Sequence, residues 1–376
     1  MPTVDMQTSP LDRGAPAPAV PALVQLKYTP PQRWVPSRFN ARTVGEDGRL
    51  ILWNTYSGAV SAFGAGSRDA VLARLSVGGV AEPLDKIGTF LSERGFLVKE
   101  KTNELNRFRM LYGRQQWRQD TLQLILLASE DCNFRCVYCY EKFKQGTMRP
   151  EVREGVRNLL TQRAPRLSGM ALSWFGGEPL YGWEAVEDLA PFAQRLGAQH
   201  GIPVAQNMTT NAYLLTEERA TRLLEWGCNR YQITLDGLPG EHDCKRVGRD
   251  GSPTYAVILD NLRSLAARRD ARYEVAIRVN FDQKNFMQMG AFLESLSEDF
   301  AGDPRFILRF RAVGKWGGDN DENLETCGRD QERQFLEDAR RKALEVSLRS
   351  EAGIRDYAKP GAQVCYAARP YNFIVG

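Results

Sequence analysis

The chain has almost no histidine. His200 and His242 are the only two in 376 residues, and neither stands at a ligand spacing from another donor. That speaks against a histidine-based metal site. Long hydrophobic runs are missing as well: no apolar stretch approaches the roughly eighteen residues of a membrane span. The first twenty-five residues carry Asp5, Asp12 and repeated prolines where an export signal needs an apolar core, so a cytoplasmic location is expected. An excess of one charge is also absent. Fifty basic residues face 46 acidic ones for a net +4, which gives no reason to expect nucleic acid or a membrane surface as partner. Cysteine is too sparse for a disulfide framework. There are seven, three of them in one motif, which fits a reducing compartment.

What remains is ordinary for a globular protein, with 43% hydrophobic and 26% charged residues. The length allows one large domain or two to three smaller ones with a substantial core.

The unusual feature is the run from Asp131 to Glu141, which places Cys132, Cys136 and Cys139 in one tight loop. A continuous apolar stretch, Thr121–Ser129, precedes it, and helical periodicity over 149–163 follows, so the thiols sit on a strand-to-helix loop. Thiolates select zinc, copper(I) or iron-sulfur clusters. Structural zinc wants four ligands, and no fourth lies nearby. Three ligands to a four-iron cluster would leave one iron open for chemistry. Cys228 and Cys244 read as ordinary thiols, and Cys327 lies in a loop rich in Gly and Asp.

Residues 1–22, rich in Pro and Ala, read as a tail. Residues 23–115 read as a small α+β domain, with strands at 24–28, 50–54 and 59–63, helices at 68–75 and 82–93, and an extended piece at 95–99. Its order suggests a winged-helix type. From 121 onward strands and helices alternate, which predicts a parallel α/β sheet. Six strands fall near 122–129, 171–175, 203–209, 230–235, 273–280 and 305–312. Helices fall near 149–163, 184–198, 216–226, 254–268, 285–298 and 330–350. Eight units would close a TIM barrel; six predict an open, partial (β/α)6 barrel over 116–314, followed by a C-terminal segment 315–376.

The distinctive residues gather at one rim of that sheet. The cysteine loop follows strand one, Gly176-Gly177-Glu178-Pro179 strand two, Asn211 strand three and Asp236-Gly237 strand four, while Asn280 closes strand five. In parallel α/β architectures that rim binds ligands. Two glycines admit close backbone approach, and Glu178 offers a carboxylate beside them. Thr234 and Asp236 can hydrogen-bond hydroxyls, with Arg246 as a charge partner for a carboxylate. Asn211 and Asn280 could line a pocket or cap turns, and His242 is expected to order its own loop.

Cys-x-x-x-Cys-x-aromatic-Cys, with Tyr138 at the aromatic position, resembles the signature of the radical S-adenosylmethionine (SAM) enzymes. The resemblance covers about residues 121–376. It implies a [4Fe-4S] cluster on Cys132, Cys136 and Cys139, whose open iron chelates SAM, and a 5'-deoxyadenosyl radical that abstracts hydrogen from a substrate. It also implies that Gly176, Gly177, Glu178 and Pro179 contact the SAM amino group. Thr234, Asp236 and Arg246 would serve the ribose and carboxylate regions. An external donor such as flavodoxin or ferredoxin would supply the electron.

The run 364–376 resembles the opening of a SPASM or twitch extension, which implies Cys365 as an auxiliary-cluster ligand. The chain stops eleven positions later without another cysteine, so a fragment or truncated variant is expected. Enzymes with such extensions commonly modify peptides or proteins, and residues 23–113 are similar in element order to leader-peptide-binding modules. The expected partner is a precursor peptide. A sulfatase-maturase type or a small-molecule enzyme is the first alternative, and a non-catalytic iron-sulfur protein or peptide scaffold the second.

Overall fold

The computed structural model describes residues 32–351 except 77, 144, 270 and 271, together with 369 and 371–376. The tail, the strand expected at 24–28 and Cys365 lie outside the described residues. The described chain divides into two units between residues 115 and 116.

The N-terminal unit comprises β1 (Arg33–Pro36), β2 (Asn40–Val44), β3 (Leu50–Asn54), β4 (Val60–Phe63), α1 (Ala65–Arg74), β5 (Val80–Ala81), α2 (Lys86–Glu93), β6 (Leu97–Lys99) and α3 (Glu104–Gln116). Two antiparallel three-stranded sheets result, ordered β5-β1-β6 and β2-β3-β4. Alternation along β3 buries Leu50 and Leu52 against Val71, Leu91, Phe96 and Leu97. Asn54, on the same face, is buried but satisfied: its amide donates to Asn40 Oδ1 at 2.9 Å and Gly95 O at 2.8 Å.

The second unit comprises β7 (Thr121–Ser129), α4 (Pro150–Arg163), β8 (Gly169–Gly176), α5 (Trp183–His200), β9 (Val204–Thr210), α6 (Glu217–Glu225), β10 (Cys228–Thr234), α7 (Pro239–Lys245), α8 (Tyr255–Ala267), β11 (Glu274–Phe281), α9 (Gln283–Phe286), α10 (Met289–Phe300), β12 (Phe306–Ala312), α11 (Arg329–Glu345) and β13 (Asn372–Val375). All strands are parallel, in the order β12-β11-β10-β9-β8-β7-β13. Six run in sequence order and do not close on themselves. This is the partial TIM-like barrel that the alternation predicts. Across β12 the outer edge is taken by residues 349–351, with Leu308 N–H donating to Arg349 O at 2.8 Å and Glu351 N–H to Leu308 O at 3.0 Å.

In the C-terminal segment the helix expected near 330–350 is present as α11 (Arg329–Glu345), and β13 is a strand that the sequence reading did not include. Here α11 lies against α10 and β12, and β13 adds a seventh strand beside β7. The physical reason is the open first strand. Without β13 the whole outer edge of β7 would present unpaired N–H and C=O groups.

The two faces of the sheet differ. One is apolar and lies in the core: Leu122, Leu124 and Leu126 of β7, Met170, Leu172 and Trp174 of β8, and Val275, Ile277 and Val279 of β11. The other face is mixed: it carries Ser173 of β8, Asn207 of β9, Gln232 and Thr234 of β10 and Arg278 and Asn280 of β11, beside the apolar Ile125, Leu127, Phe175 and Ala276. Asn207 donates to Ser173 Oγ at 3.0 Å from the neighbouring strand, which places both on that second face. A partly polar face left open on a curved sheet is where a ligand can lie. Among the described residues no helix is long and apolar enough to cross a membrane.

Candidate active site

The three-cysteine loop leaves β7 and is laced to residues 245–249. Arg135 N–H donates to Val247 O at 2.9 Å, Val137 N–H to Lys245 O at 2.9 Å and Arg249 N–H to Asn133 O at 2.8 Å. The Asp131 carboxylate accepts the Cys132 N–H at 2.8 Å and pairs with Arg135 at 3.1 Å and Arg249 at 2.9 Å. Arg135 also donates to the carbonyls of Cys132 and Phe134, each at 2.7 Å. These bonds fix the course of the loop that carries the three thiols.

The glycine pair abuts this loop. Gly177 N–H donates to Ser129 O at 3.0 Å, and Glu178 N–H to Asp131 O at 3.1 Å. Gly176 has φ +112°, and a Cβ there would strike Ser129 O; one on Gly177 would lie 2.5 Å from Asp131 O. Glycine is required here because the two strand ends touch backbone to backbone.

Glu178 is fully buried. Its carboxylate accepts Leu180 N–H at 2.9 Å, Thr210 O–H at 2.7 Å and Asn211 N–H at 2.7 Å. Burial pushes its carboxyl upward, and these bonds work against that shift. Asp236 is likewise sealed: it accepts Asn280 N–H at 2.7 Å and the Tyr138 hydroxyl. Tyr138 Oη in turn accepts from Arg246 at 3.0 Å and Asn280 at 3.2 Å. Behind this knot, His242 Nδ1 accepts Asp236 N–H at 3.1 Å, which leaves Nε2–H to donate to Thr254 Oγ1 at 3.2 Å. Burial lowers the His242 pKa to about 2, so the ring is neutral.

A cavity of about 290 Å³ opens at this rim. Cys132, Cys136, Cys139, Tyr138, Gly176, Gly177, Thr234 and Arg246 line it, as do Asn211 and Asn280. Glu178, Pro179 and Asp236 are not in its wall; the two carboxylates brace the wall from behind. Cys228, Cys244 and Cys327 do not line it either. Sequence reasoning passed over Gln232, Arg278, Glu141 and Trp316, which do. For Gln232 and Arg278 a signal existed: each stands two residues before a residue already singled out, Thr234 and Asn280, and so shares its face of the strand.

Three thiols lining one cavity are a soft donor set, of the kind that holds an iron-sulfur cluster. Among the described residues, no three His, Cys, Asp or Glu side chains converge as ligands to one metal ion. Burial pushes Cys132 up to about 12 and raises Cys136 and Cys139, so a soft cation must displace their protons. Cys132 Sγ already accepts an N–H, from Phe134 at 3.3 Å, which favours a thiolate there. Arg246 lines the cavity, stacks over the Phe134 ring at 5.6 Å and donates to Tyr138, while its buried Nε has no acceptor among the described residues.

Residues 126–277 match the radical SAM superfamily. The chain carries a radical SAM domain. The superfamily is one of enzymes that use a [4Fe-4S] cluster and SAM. Over 200 residues the chain is 31% identical to GTP 3',8-cyclase of Microcystis aeruginosa, covering 51% of this chain and 55% of that one. Over 219 residues it is 25% identical to the radical SAM cyclopropyl synthase TigE of Paramaledivibacter caminithermalis, covering 51% and 44%. The chain thus spans about half the length of these relatives. Among solved structures, SuiB of Streptococcus suis bound to S-adenosylmethionine is similar with a TM-score of 0.47 and 14% identity, covering 87% of this chain and 75% of that one.

Proposed function

We propose that this chain reductively cleaves SAM at a [4Fe-4S] cluster held by Cys132, Cys136 and Cys139, and modifies a peptide or protein by hydrogen abstraction. The observation that carries the cleavage step is the sharing of one cavity by three thiols, two backbone-exposing glycines and the guanidinium of Arg246. With both groups bound, the cluster and SAM supply a radical able to take a hydrogen atom from an unactivated carbon. The protein's own part is placement. Gly176 and Gly177 present backbone at the cavity wall, Thr234 offers a hydroxyl, and Arg246 faces a carboxylate. Tyr138 ties the cysteine loop to β10 and β11 through Asp236 and Asn280. Glu178 and Pro179 act through the backbone they hold. A flavodoxin or ferredoxin would deliver the electron.

The peptide half of the reading rests on the N-terminal unit. In its β2-β3-β4 sheet, β2 and β4 each have one edge without a partner strand among the described residues, and most of β2 is exposed. An extended peptide can add to such an edge through backbone hydrogen bonds. A small-molecule substrate is the second reading, favoured by the 31% identity to a GTP 3',8-cyclase.

Anaerobic reconstitution followed by reduction tests the cleavage step, with 5'-deoxyadenosine as the readout. Alanine at Cys132, Cys136 or Cys139 is expected to abolish it, and Cys228→Ala to leave it intact. Cleavage surviving all three replacements would reject the assignment. Mass changes in co-expressed short peptides, against conversion of added GTP, separate the two substrate classes.

A further inference from the structure

One wall of the cavity is formed by β10 and β11, which Tyr138 of the cysteine loop reaches through Asp236 and Asn280. Thr234 pairs with Arg278 and Gln232 with Ala276 across these strands, so Gln232, Thr234 and Arg278 stand together on the mixed face. All three line the cavity. Arg278 Nε donates to Asn280 Oδ1 at 2.8 Å, which fixes the guanidinium plane and leaves both Nη groups without an acceptor among the described residues. Arg278 forms no ion pair among the described residues. The next strand shows the contrast: Arg309 and Arg311 on β12 both pair with Glu351, at 3.2 and 3.0 Å. Gln232 and Thr234 side chains also lack hydrogen-bond partners among the described residues.

A half-buried guanidinium loses hydration, and burial lowers the Arg278 pKa. Such a charge is retained most economically where a planar anion completes it with paired N–H donors. Two acids stand near: Glu141, in the cavity wall, belongs to the cysteine loop and makes no bond to Arg278, while Asp236 acts on Arg278 through its charge from behind the wall, its oxygens taken by Tyr138 and Asn280. Two exposed aromatics, Tyr140 and Trp316, also line the cavity and provide apolar surface for the neighbours of an acidic residue in a chain.

We propose that Arg278, flanked by Gln232 and Thr234, is a carboxylate-binding subsite of the substrate, separate from Arg246, so that the residue presented for modification lies at or next to an aspartate or glutamate. The inference rests on the peptide-modifying reading and specifies its substrate class. The same chemistry could come from SAM's own carboxylate, and the experiment separates the two sources.

The test uses the reconstituted full chain with SAM bound. A capped alanine pentapeptide with a central glutamate, and its glutamine counterpart, are titrated by calorimetry. The glutamate peptide is expected to bind at least tenfold more tightly. Arg278→Gln is expected to erase that preference and Arg278→Lys to keep part of it, with SAM affinity unchanged in both variants. Equal binding of the two peptides, binding of neither, or a preference that survives Arg278→Gln would overturn the proposal. So would a tenfold loss of SAM affinity in Arg278→Gln, which would give the anion to SAM. Thermal melting of both variants shows whether a loss stems from unfolding; Arg278→Lys retains the charge and reports on the subsite if Arg278→Gln does not fold. Formation of 5'-deoxyadenosine by the unaltered protein is measured separately. Its absence alongside a glutamate preference would sink the catalytic reading and leave the subsite standing.

Discussion

The Glu178 carboxylate accepts the backbone N–H of Asn211 at 2.7 Å, which fastens the end of β8 to the end of β9. The Asn211 amide continues the connection into the cysteine loop, donating to Asn133 Oδ1 at 2.8 Å. Glu178→Ala would strip acceptors from three groups: Leu180 N–H, Thr210 O–H and Asn211 N–H. At about 1–3 kcal/mol for each buried group left unpaired, a loss of roughly 3 kcal/mol or more is expected in urea unfolding. Glu178→Gln keeps one acceptor oxygen but turns an NH2 toward a donor, so an intermediate loss is expected. Iron bound per chain should fall in the same order.

The contact between β8 and the cysteine loop makes a paired glycine test. At Gly177 an added Cβ meets Asp131 O at 2.5 Å and Glu130 O at 2.7 Å, both backbone atoms that cannot swing aside. Gly177→Ala is therefore expected to displace the loop and to cost most of the reconstituted iron. Gly155, exposed on α4, has nothing within 4 Å of the place an added Cβ would take. Gly155→Ala should retain iron and raise stability by about 1 kcal/mol through helix propensity alone. Equal iron content in the two variants would show that the strand ends are not in register-critical contact.

Neutral His242 predicts a pH dependence. Its Nδ1 must stay unprotonated to accept Asp236 N–H, and burial holds its pKa at about 2. Arg246 adds a like charge, and the Tyr255 ring packs edge-on at 5.5 Å. The unfolded ring titrates near 6.5. Between those values the unfolded state binds the extra proton, so stability is complete above about pH 6.5 and falls as the pH drops. From pH 7 to pH 5 the loss approaches about 2 kcal/mol, from roughly 1.4 kcal/mol per pH unit below 6.5. His242→Gln should lose less over the same interval in urea titrations at the two pH values.

The strands β7 to β12 were legible because each pairs a β-type run with a following helical period, and the two signals bound each other. What escaped had no such support. Asn372–Val375 is four residues long, and only the exposed edge of β7 makes it a strand. Pro239–Lys245 is a seven-residue helix with Gly240 inside it, too short for periodicity to register. Asn40–Val44 shows no apolar alternation, being an edge strand exposed over most of its length. At the site, the sequence marks Glu178 and Asp236 as carboxylates at strand ends. It cannot say whether a carboxylate faces a ligand or neighbouring N–H groups, since that depends on where Asn211 and Asn280 arrive from other strands. Gly176 and Gly177 show the same limit: the need for glycine is visible, but the atoms that impose it belong to Ser129 and Asp131.

Asp282 offers a separation of charge from capping. It begins α9 as an N-cap, accepting Lys284 N–H and Asn285 N–H at 3.0 Å each, and Asn285 returns a bond to its backbone, closing a capping box. Its other oxygen pairs with Lys245 at 2.7 Å, and the two side chains are only 14% and 12% exposed. The Lys245 carbonyl also accepts Val137 N–H from the cysteine loop, so the pair steadies that loop from α7. Asp282→Asn can keep the cap while leaving Lys245 unpaired; Asp282→Ala loses both. Losing a charge-assisted hydrogen bond of a partly buried pair costs about 1.5–3 kcal/mol, and losing a cap adds about 1 kcal/mol. Urea unfolding should therefore rank the unaltered protein above Asp282→Asn and that variant above Asp282→Ala, with the larger step at the first replacement. A larger second step would mean that the cap, and not the ion pair, holds this corner of the rim.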